Sequence, residues 1–295
     1  MPFVDRDDAR LYYETSADES EAAASESEAA ASESEAAASE SEAAASESEA
    51  TASESEAAVP NDADTVAFVG ETGYAAWQWS WQYPAVSGPF EALVTDLRGS
   101  GRSETTSDSF DVTTLVADLG AVLADHGARR VHLVGAGLGG MVALECARVS
   151  GRVRSLSLFG TALSGDRFDE GMLSVLGGRG PDSLAPCFSE SFFDRQREVV
   201  AGVEKWRADD APDAVRAAQV DALLDYDCAD PYELTVPTLV CHGEDDPVVP
   251  VEAGRDLADA LPRGEFCPLP GRHLAHVESS RVANDELVGF LAERA

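Results

Sequence analysis

The chain of 295 residues is short of positive charge. Lysine and arginine together number 21 against 55 aspartates and glutamates, and Lys205 is the only lysine, so the formal net charge is -34. Such a surface repels nucleic acid and anionic lipid, and no nucleic acid or membrane partner is expected. It suits concentrated salt, where the Debye length falls to roughly 3 Å at 1 M and self-repulsion is largely screened. A halophilic, salt-loaded cytoplasm is the expected setting. Cysteine is sparse as well. Cys146, Cys187, Cys228, Cys241 and Cys267 are odd in number, scattered and without C-x-x-C spacing. That pattern argues against a disulfide framework or a metal site and fits a reducing compartment. No apolar run approaches a membrane span, and the N-terminal MPFVDRDDAR lacks the apolar stretch of a signal peptide.

Residues 18 to 58 lack anything to bury. From Ser25 the unit SESEAAA repeats, with Thr51 as one departure and a worn first copy at 18 to 24. The three alanines of each unit spread around a helical wheel, so no apolar stripe forms. Alanine favours helix, but glutamates without basic partners oppose it at low salt. Aromatic and bulky aliphatic anchors for a partner are absent. The segment 17–58 is therefore expected to be a low-complexity acidic insertion acting as a solvated tether.

What remains is enough for one sizeable core. FVDRDDARLYYE alternates and turns like a hairpin. TVAFVG (65–70) and EALVTDL (91–97) read as strands, and DVTTLVADLGAVLADHG as a helix, with Leu115, Leu119, Val122 and Leu123 at helical spacing. Strand RVHLVG, helix LGGMVALECARV and strand VRSLSLFG follow. After a gap come strand PTLVCHG, helix VEAGRDLADALP, strand GEFCPLP and a last helix, NDELVGFLAERA. This alternation implies an α/β fold with a mostly parallel sheet flanked by helices. Residues 164–235 show short helical patterns with Pro and Gly breaks and no obvious strand, which reads as an inserted helical cap. The core is then 1–16, 59–163 and 236–295.

VHLVGAGLGG (131–140) carries the main question. Gly135, Gly137 and Gly140 satisfy G-x-G-x-x-G between a strand and a helix, a pattern that can cradle a pyrophosphate. That use also needs an acid about 20 residues on, at the end of the next strand. VRSLSLFG ends in Phe159-Gly160, and the first acid beyond it is Asp166. A nucleotide cofactor is the least supported alternative, and no cofactor is expected.

Four other stretches point elsewhere. DLRGSGRS (96–103), FVGETGYAAWQW, CHGEDDPVVP (241–250) and GRHLAHVE (271–278) closely resemble, in order, the arginine loop, oxyanion loop, acid loop and histidine loop of the α/β-hydrolase fold superfamily. The resemblance covers nearly all of the chain outside the repeat and the cap. It implies an eight-stranded-type hydrolase sheet with a helical cap, His273 as the histidine and Asp246 as its acid. Glu244 and Asp245 compete with Asp246, and His276 with His273; the G-x-x-D spacing from Gly243 and the G-x-H context favour the first of each pair. His132 and His242 lie in strands and read as core or supporting residues.

The departures matter as much. The nucleophile-elbow position is Gly137, which has no group that can attack. The His-Gly pair usual in the oxyanion loop is Gly70-Glu71. By resemblance the oxyanion donors are the backbone N–H groups of Thr72 and Leu138, with Glu71 beside them. Glu71 is expected to oppose an oxyanion there, to pair with His273 or Arg98, or to be solvated. Ser100 and Ser103 read as structural and Cys146 as core. Trp77, Trp79 and Trp81 alternate as if to line a pocket on one side, but aromatic stripes are usually core, and at least one of them is expected to pack under the cap. Loss of a catalytic serine costs on the order of 10⁶ in turnover. The resemblance therefore implies a small-molecule site working through His273 and Asp246 without a serine, by activated water or a lyase-like step, or else an inactive small-ligand-binding relative.

Overall fold

A computed structural model describes residues 2–17, 64–178 and 180–294. The SESEAAA repeat lies outside the described residues. Strands β1 (Phe3–Arg6) and β2 (Ala9–Thr15) form the hairpin expected from their alternation, and β2 pairs antiparallel with β4 (Glu91–Thr95). From there the sheet is parallel, through β3 (Thr65–Val69), β6 (Val131–Ala136), β7 (Val153–Phe159), β8 (Thr238–Gly243) and β9 (Gly264–Leu269). The order is β1-β2-β4-β3-β6-β7-β8-β9, and the two-residue β5 (Glu104–Thr105) joins β2. The expected α/β fold with a mostly parallel sheet is present, with one short extra strand that no periodicity could announce.

The central strands are apolar on both faces because helices cover both. Along β3, Val66 and Phe68 enter one cluster while Ala67 and Val69 enter the other, the two-residue period of a strand. The first cluster holds helix α1 (Tyr83–Val86) and the last helix, α9 (Ser280–Ala292). The second holds α2 (Val112–His126), α3 (Leu138–Val149) and α8 (Val251–Ala260). Helix α2 shows why the sequence starts and stops it there. Asp111 accepts from Thr114 N at 2.8 Å as its N-cap, and Gly127 closes it at φ +84°.

Between β7 and β8 the described residues contain no strand. They form α4 (Glu170–Leu176), α5 (Glu190–Arg195), α6 (Arg197–Trp206) and α7 (Asp213–Leu224), with a 3₁₀ turn between α4 and α5 and another between α6 and α7, and Gln196 alone between α5 and α6. Buried Arg207 ties these pieces together, donating to Asp210, to Ser183 Oγ at 2.7 Å and to the Leu176 carbonyl at 2.8 Å. Gln219 of α7 reaches the sheet side, accepting from Gly73 N at 2.6 Å and donating to Ser100 Oγ at 3.0 Å.

The arginine loop is a structural knot. Arg98, 1% exposed, forks onto Asp118 of α2 at 2.6 and 2.7 Å and reaches Asp8 at 3.1 Å. Ser103 donates to the Asp96 carbonyl and accepts from Tyr12 N, and Ser100 accepts from Gln219. Both serines are structural, and Cys146 is buried in α3. Arg98→Ala leaves Asp118 with only Arg6 in a buried setting. Removing one partner of a buried ion pair costs about 3 kcal/mol or more. Urea unfolding in molar KCl is expected to show a loss of that size; a loss under about 1 kcal/mol would mean that the pair carries little.

Candidate active site

The strands β3, β4, β6, β8 and β9 end on one edge of the sheet, and the loops leaving them converge there, as open parallel sheets arrange their sites. The loop after β6 is a sharp turn with Gly137 at φ +47°, a conformation that side chains rarely adopt. Its amide donates to the Phe159 carbonyl at 3.0 Å, and its carbonyl accepts from Thr161 Oγ1 at 2.7 Å. The glycines around it are there for packing. A Cβ on Gly135 would run into Gly139 backbone, and one on Gly140 into Thr161. The elbow is intact and lacks only a side chain.

The space of that side chain is filled. A Cβ on Gly137 would lie against Glu71 Oε2 at about the separation of a covalent bond. Glu71 Oε2 therefore stands close to where a hydroxyl on residue 137 would be, 3.0 Å from His273 Nε2. Its other oxygen, Oε1, accepts from both expected oxyanion donors, Thr72 N and, at 3.3 Å, Leu138 N. Leu138 is the first residue of α3, so the carboxylate also meets the positive end of that helix. The Leu138 amide that a phosphate would meet at this helix start is already bonded to Glu71.

Glu71 is held firmly. Its amide donates to Gln78 Oε1 at 3.0 Å, its carbonyl accepts from Tyr74 N, and Gln219 takes the Gly73 amide. It is fully buried, and Arg98 is engaged elsewhere. Of the expectations for Glu71, two are met together: the carboxylate sits at the expected oxyanion donors and pairs with His273, and it is neither solvated nor paired with Arg98.

His273 and Asp246 come together as the spacing suggested. His273 Nδ1 lies 2.9 Å from Asp246 Oδ2, and Asp246 Oδ1 accepts from Val248 N and Val249 N at 2.8 and 3.1 Å. His242 Nε2 lies 3.4 Å from the same carboxylate and 2.9 Å from the Val249 carbonyl, so it supports the acid loop. Glu244 and Asp245 are exposed. His276 packs its ring against Trp79 and Phe159 with both nitrogens unpartnered, and burial followed by the charge of His273 pushes its pKa down to about 3. It is a neutral core residue.

The order Asp246–His273–Glu71 sets the charge on the imidazole. Burial works against protonation of His273, but the Asp246 carboxylate and the hydrogen bonds to Asp246 and Glu71 outweigh it and push the pKa up to about 10. Burial likewise opposes ionisation of Asp246, and the His273 charge with the His242 and His273 hydrogen bonds holds it well below the usual carboxylate range. Asp246 and Glu71 on either side of the ring thus favour its protonated form.

Other neighbours came from stretches without a motif. The Pro186 and Cys187 carbonyls accept from His273 N and Leu274 N at 3.2 and 3.1 Å, and Tyr74 Oη lies 3.3 Å from Cys187 Sγ. The tryptophans do not alternate on a strand. Ala76–Trp79 is a 3₁₀ helix, which sends Trp79 into the core, Trp77 to Asp210 and Trp81 to Trp206.

A pH titration of stability tests the imidazolium. A raised folded-state pKa contributes stability that is full below the unfolded value near 6.5 and is lost as pH rises through about 10. The difference in unfolding free energy between the wild type and His273→Gln is expected to shrink steadily across that window. A difference that stays flat from pH 6 to 10 would mean that His273 is neutral in the folded protein.

Residues 69–286 match the profile described as alpha/beta hydrolase family. A protein named as a carbamate hydrolase, RutD, from Variovorax paradoxus is 30% identical over 248 residues, covering 79% of this chain and 93% of that one. A non-heme chloroperoxidase, CPO-A1, from Kitasatospora aureofaciens is 28% identical over 222 residues, covering 64% of this chain and 76% of its own. The enol-lactonase structure from Burkholderia xenovorans superposes with a TM-score of 0.75 at 19% identity, covering 99% of this chain and all of that one. Among the described residues no helix is long and apolar enough to cross a membrane. With that match across residues 69–286, the chain belongs to the alpha/beta hydrolase family.

Proposed function

We propose that this protein is a hydrolase of small organic molecules that works without a serine, through a relay of Glu71, His273 and Asp246. One observation carries the reading: Glu71 Oε2 stands at the place of an elbow hydroxyl, within hydrogen-bonding distance of His273 Nε2. The reacting oxygen is thus supplied by the oxyanion loop. Water does not fill the space above Gly137, because the carboxylate is already there. The family and the relative named as a carbamate hydrolase support a small-molecule substrate. Asp246 fixes the ring of His273, and His273 holds the proton that the leaving group or the carboxylate needs.

A second reading has its own observation. Glu71 is fully buried and His273 only 3% exposed, so the same contacts describe a plugged site in an inactive, small-ligand-binding relative. The two readings differ in what Glu71 does for turnover.

The test is a panel of small esters, lactones and carbamates in molar KCl, run with Glu71→Gln, His273→Gln and a serine-directed phosphonate. Turnover in the wild type is expected to ignore the phosphonate and to fall by on the order of 10² or more in each variant. Turnover unchanged by Glu71→Gln would end the relay reading. If the wild type is silent and Gly137→Ser with Glu71→Ala gains ester turnover that Gly137→Ser alone lacks, the plugged site is the correct description.

A further inference from the structure

One cavity stands apart from the relay. It measures about 440 Å³, within the roughly 300–1,000 Å³ of small-molecule sites, and neither Glu71 nor His273 lines it. It lies where the 3₁₀ turn Ala76–Trp79, the arginine loop, strands β2 and β4 and the last residue of α6 meet.

The walls are largely aromatic, with Trp77, Trp79, Trp206 and Tyr12 among them. Two of these rings are fixed from outside the cavity. The Trp77 indole N–H donates to Asp210 Oδ1 at 2.8 Å, and Trp206 meets Trp81 edge to face with 6.0 Å between centroids. The faces of such rings are negative and attract cations.

The charge on the lining has the same sign. Glu14, Asp96 and Asp209 stand against a single guanidinium, that of Arg102. Arg102 is already engaged, lying 4.4 Å over the Tyr12 ring and donating to Tyr12 Oη and, at 3.1 Å, to Glu14. Asp96 differs from the other two carboxylates. It is 5% exposed, and its side chain accepts from two backbone amides, Ala76 N at 2.8 Å and Arg102 N at 3.0 Å. Those amides fix its place but carry no net charge. Burial, only partly offset by them, pushes its pKa up. A buried carboxylate without a counter-charge is costly, and this one borders a space that can admit one. Trp79 borders the same space, 1% exposed, and its indole N–H has no acceptor among the described residues.

We propose that this cavity binds a small organic cation, a quaternary ammonium compound that also carries an oxygen acceptor. The aromatic rings surround the ammonium group, Asp96 is its counter-charge, and the Trp79 N–H donates to the oxygen. Other ligand classes fit less well. An anion meets three carboxylates, and an uncharged apolar ligand leaves Asp96 without a counter-charge. A metal ion needs several donors converging on one point, and among the described residues no group of three or more candidate ligands does so. Aromatic faces suit instead a cation whose charge is spread over an apolar shell.

The experiment is saturation-transfer NMR on the full chain in molar KCl. A surface with a net charge of -34 attracts any cation in dilute buffer, but at that salt its reach falls to roughly 3 Å, so retained selectivity requires a built site. The probes are choline, tetramethylammonium and 3,3-dimethyl-1-butanol, the last having the shape of choline with carbon in place of the charged nitrogen. Choline is expected to show saturable transfer and to bind at least about tenfold tighter than the neutral isostere, the factor that one desolvated cation–π contact supplies. Tetramethylammonium, which offers Trp79 no acceptor, is expected to bind more weakly than choline. Asp96→Asn should weaken choline binding by about tenfold or more, and Trp206→Ala by about threefold, since that ring is 40% exposed. Each variant is first shown to unfold cooperatively. If Asp96→Asn does not fold, Trp206→Ala still tests the site, because its ring is largely outside the core. No saturable transfer to choline in the wild type overturns the proposal. So does equal binding of the neutral isostere, or wild-type affinity in every folded variant. Equal binding of tetramethylammonium overturns the assignment of an oxygen to Trp79. The relay is untouched by any of these outcomes, because its residues do not line the cavity.

Discussion

A single carboxylate organises the centre of this protein. Glu71 spans two sites that a hydrolase fold ordinarily keeps apart, the hydroxyl position above the elbow and the pair of amides that face it. It can do so only because residue 137 has no side chain. The two departures, glycine at the elbow and glutamate in the oxyanion loop, are therefore one structural change seen from two loops. Either alone would leave a defect: a Cβ colliding with a buried carboxylate, or an elbow with an empty space before it.

Burying three ionisable groups is costly unless each is paired and hydrogen-bonded. Here the charges alternate along a line, carboxylate, imidazolium, carboxylate, and the outer members have further donors. Asp246 has the Val248 and Val249 amides, and Glu71 has those of Thr72 and Leu138. The backbone of the loops after β8 and β3 and of the α3 N-terminus thus supplies part of the neutralisation. The same alternation makes the state of the imidazole depend on Glu71, because the hydrogen bond and charge of that group help to hold the proton. Chemistry at Glu71 and the protonation of His273 are coupled by contact.

Much of the scaffold was legible because it rests on local periodicity. Leu115, Leu119, Val122 and Leu123 lie on the buried face of one helix, and TVAFV is buried throughout as a central parallel strand must be. His273 and Asp246 were legible for a different reason: CHGEDDPVVP and GRHLAHVE resemble the acid and histidine loops of the superfamily, and the resemblance, not periodicity, pointed to the pair. Of the alternating tryptophans, Trp79 is core, as aromatic stripes usually are, and Trp77 turns to Asp210, because Ala76–Trp79 is a 3₁₀ helix on which alternation does not mean a shared face. Tyr74, Cys187 and Gln219 gave no signal, because each meets its partner across a large sequence separation between segments without a common repeat.

The sequence by itself determined the α/β pattern, the elbow without a nucleophile, the acid–histidine pair and a surface of strongly negative charge. The charge and the α/β pattern follow from residue type and near-neighbour spacing, while the elbow position and the acid–histidine pair follow from the resemblance of their loops to the superfamily. It left three fates open for Glu71, and tertiary structure decided among them. Glu71 and His273 are 202 positions apart, and whether that side chain faces solvent, Arg98 or His273 depends on how β3, β6 and β9 stack their ends. Arg98 was already taken by Asp118, a contact between a loop and a helix. The absence of a Cβ at 137 was written in the sequence; that a carboxylate from another loop fills the space is a fact of packing, settled by which groups are close enough to share a proton.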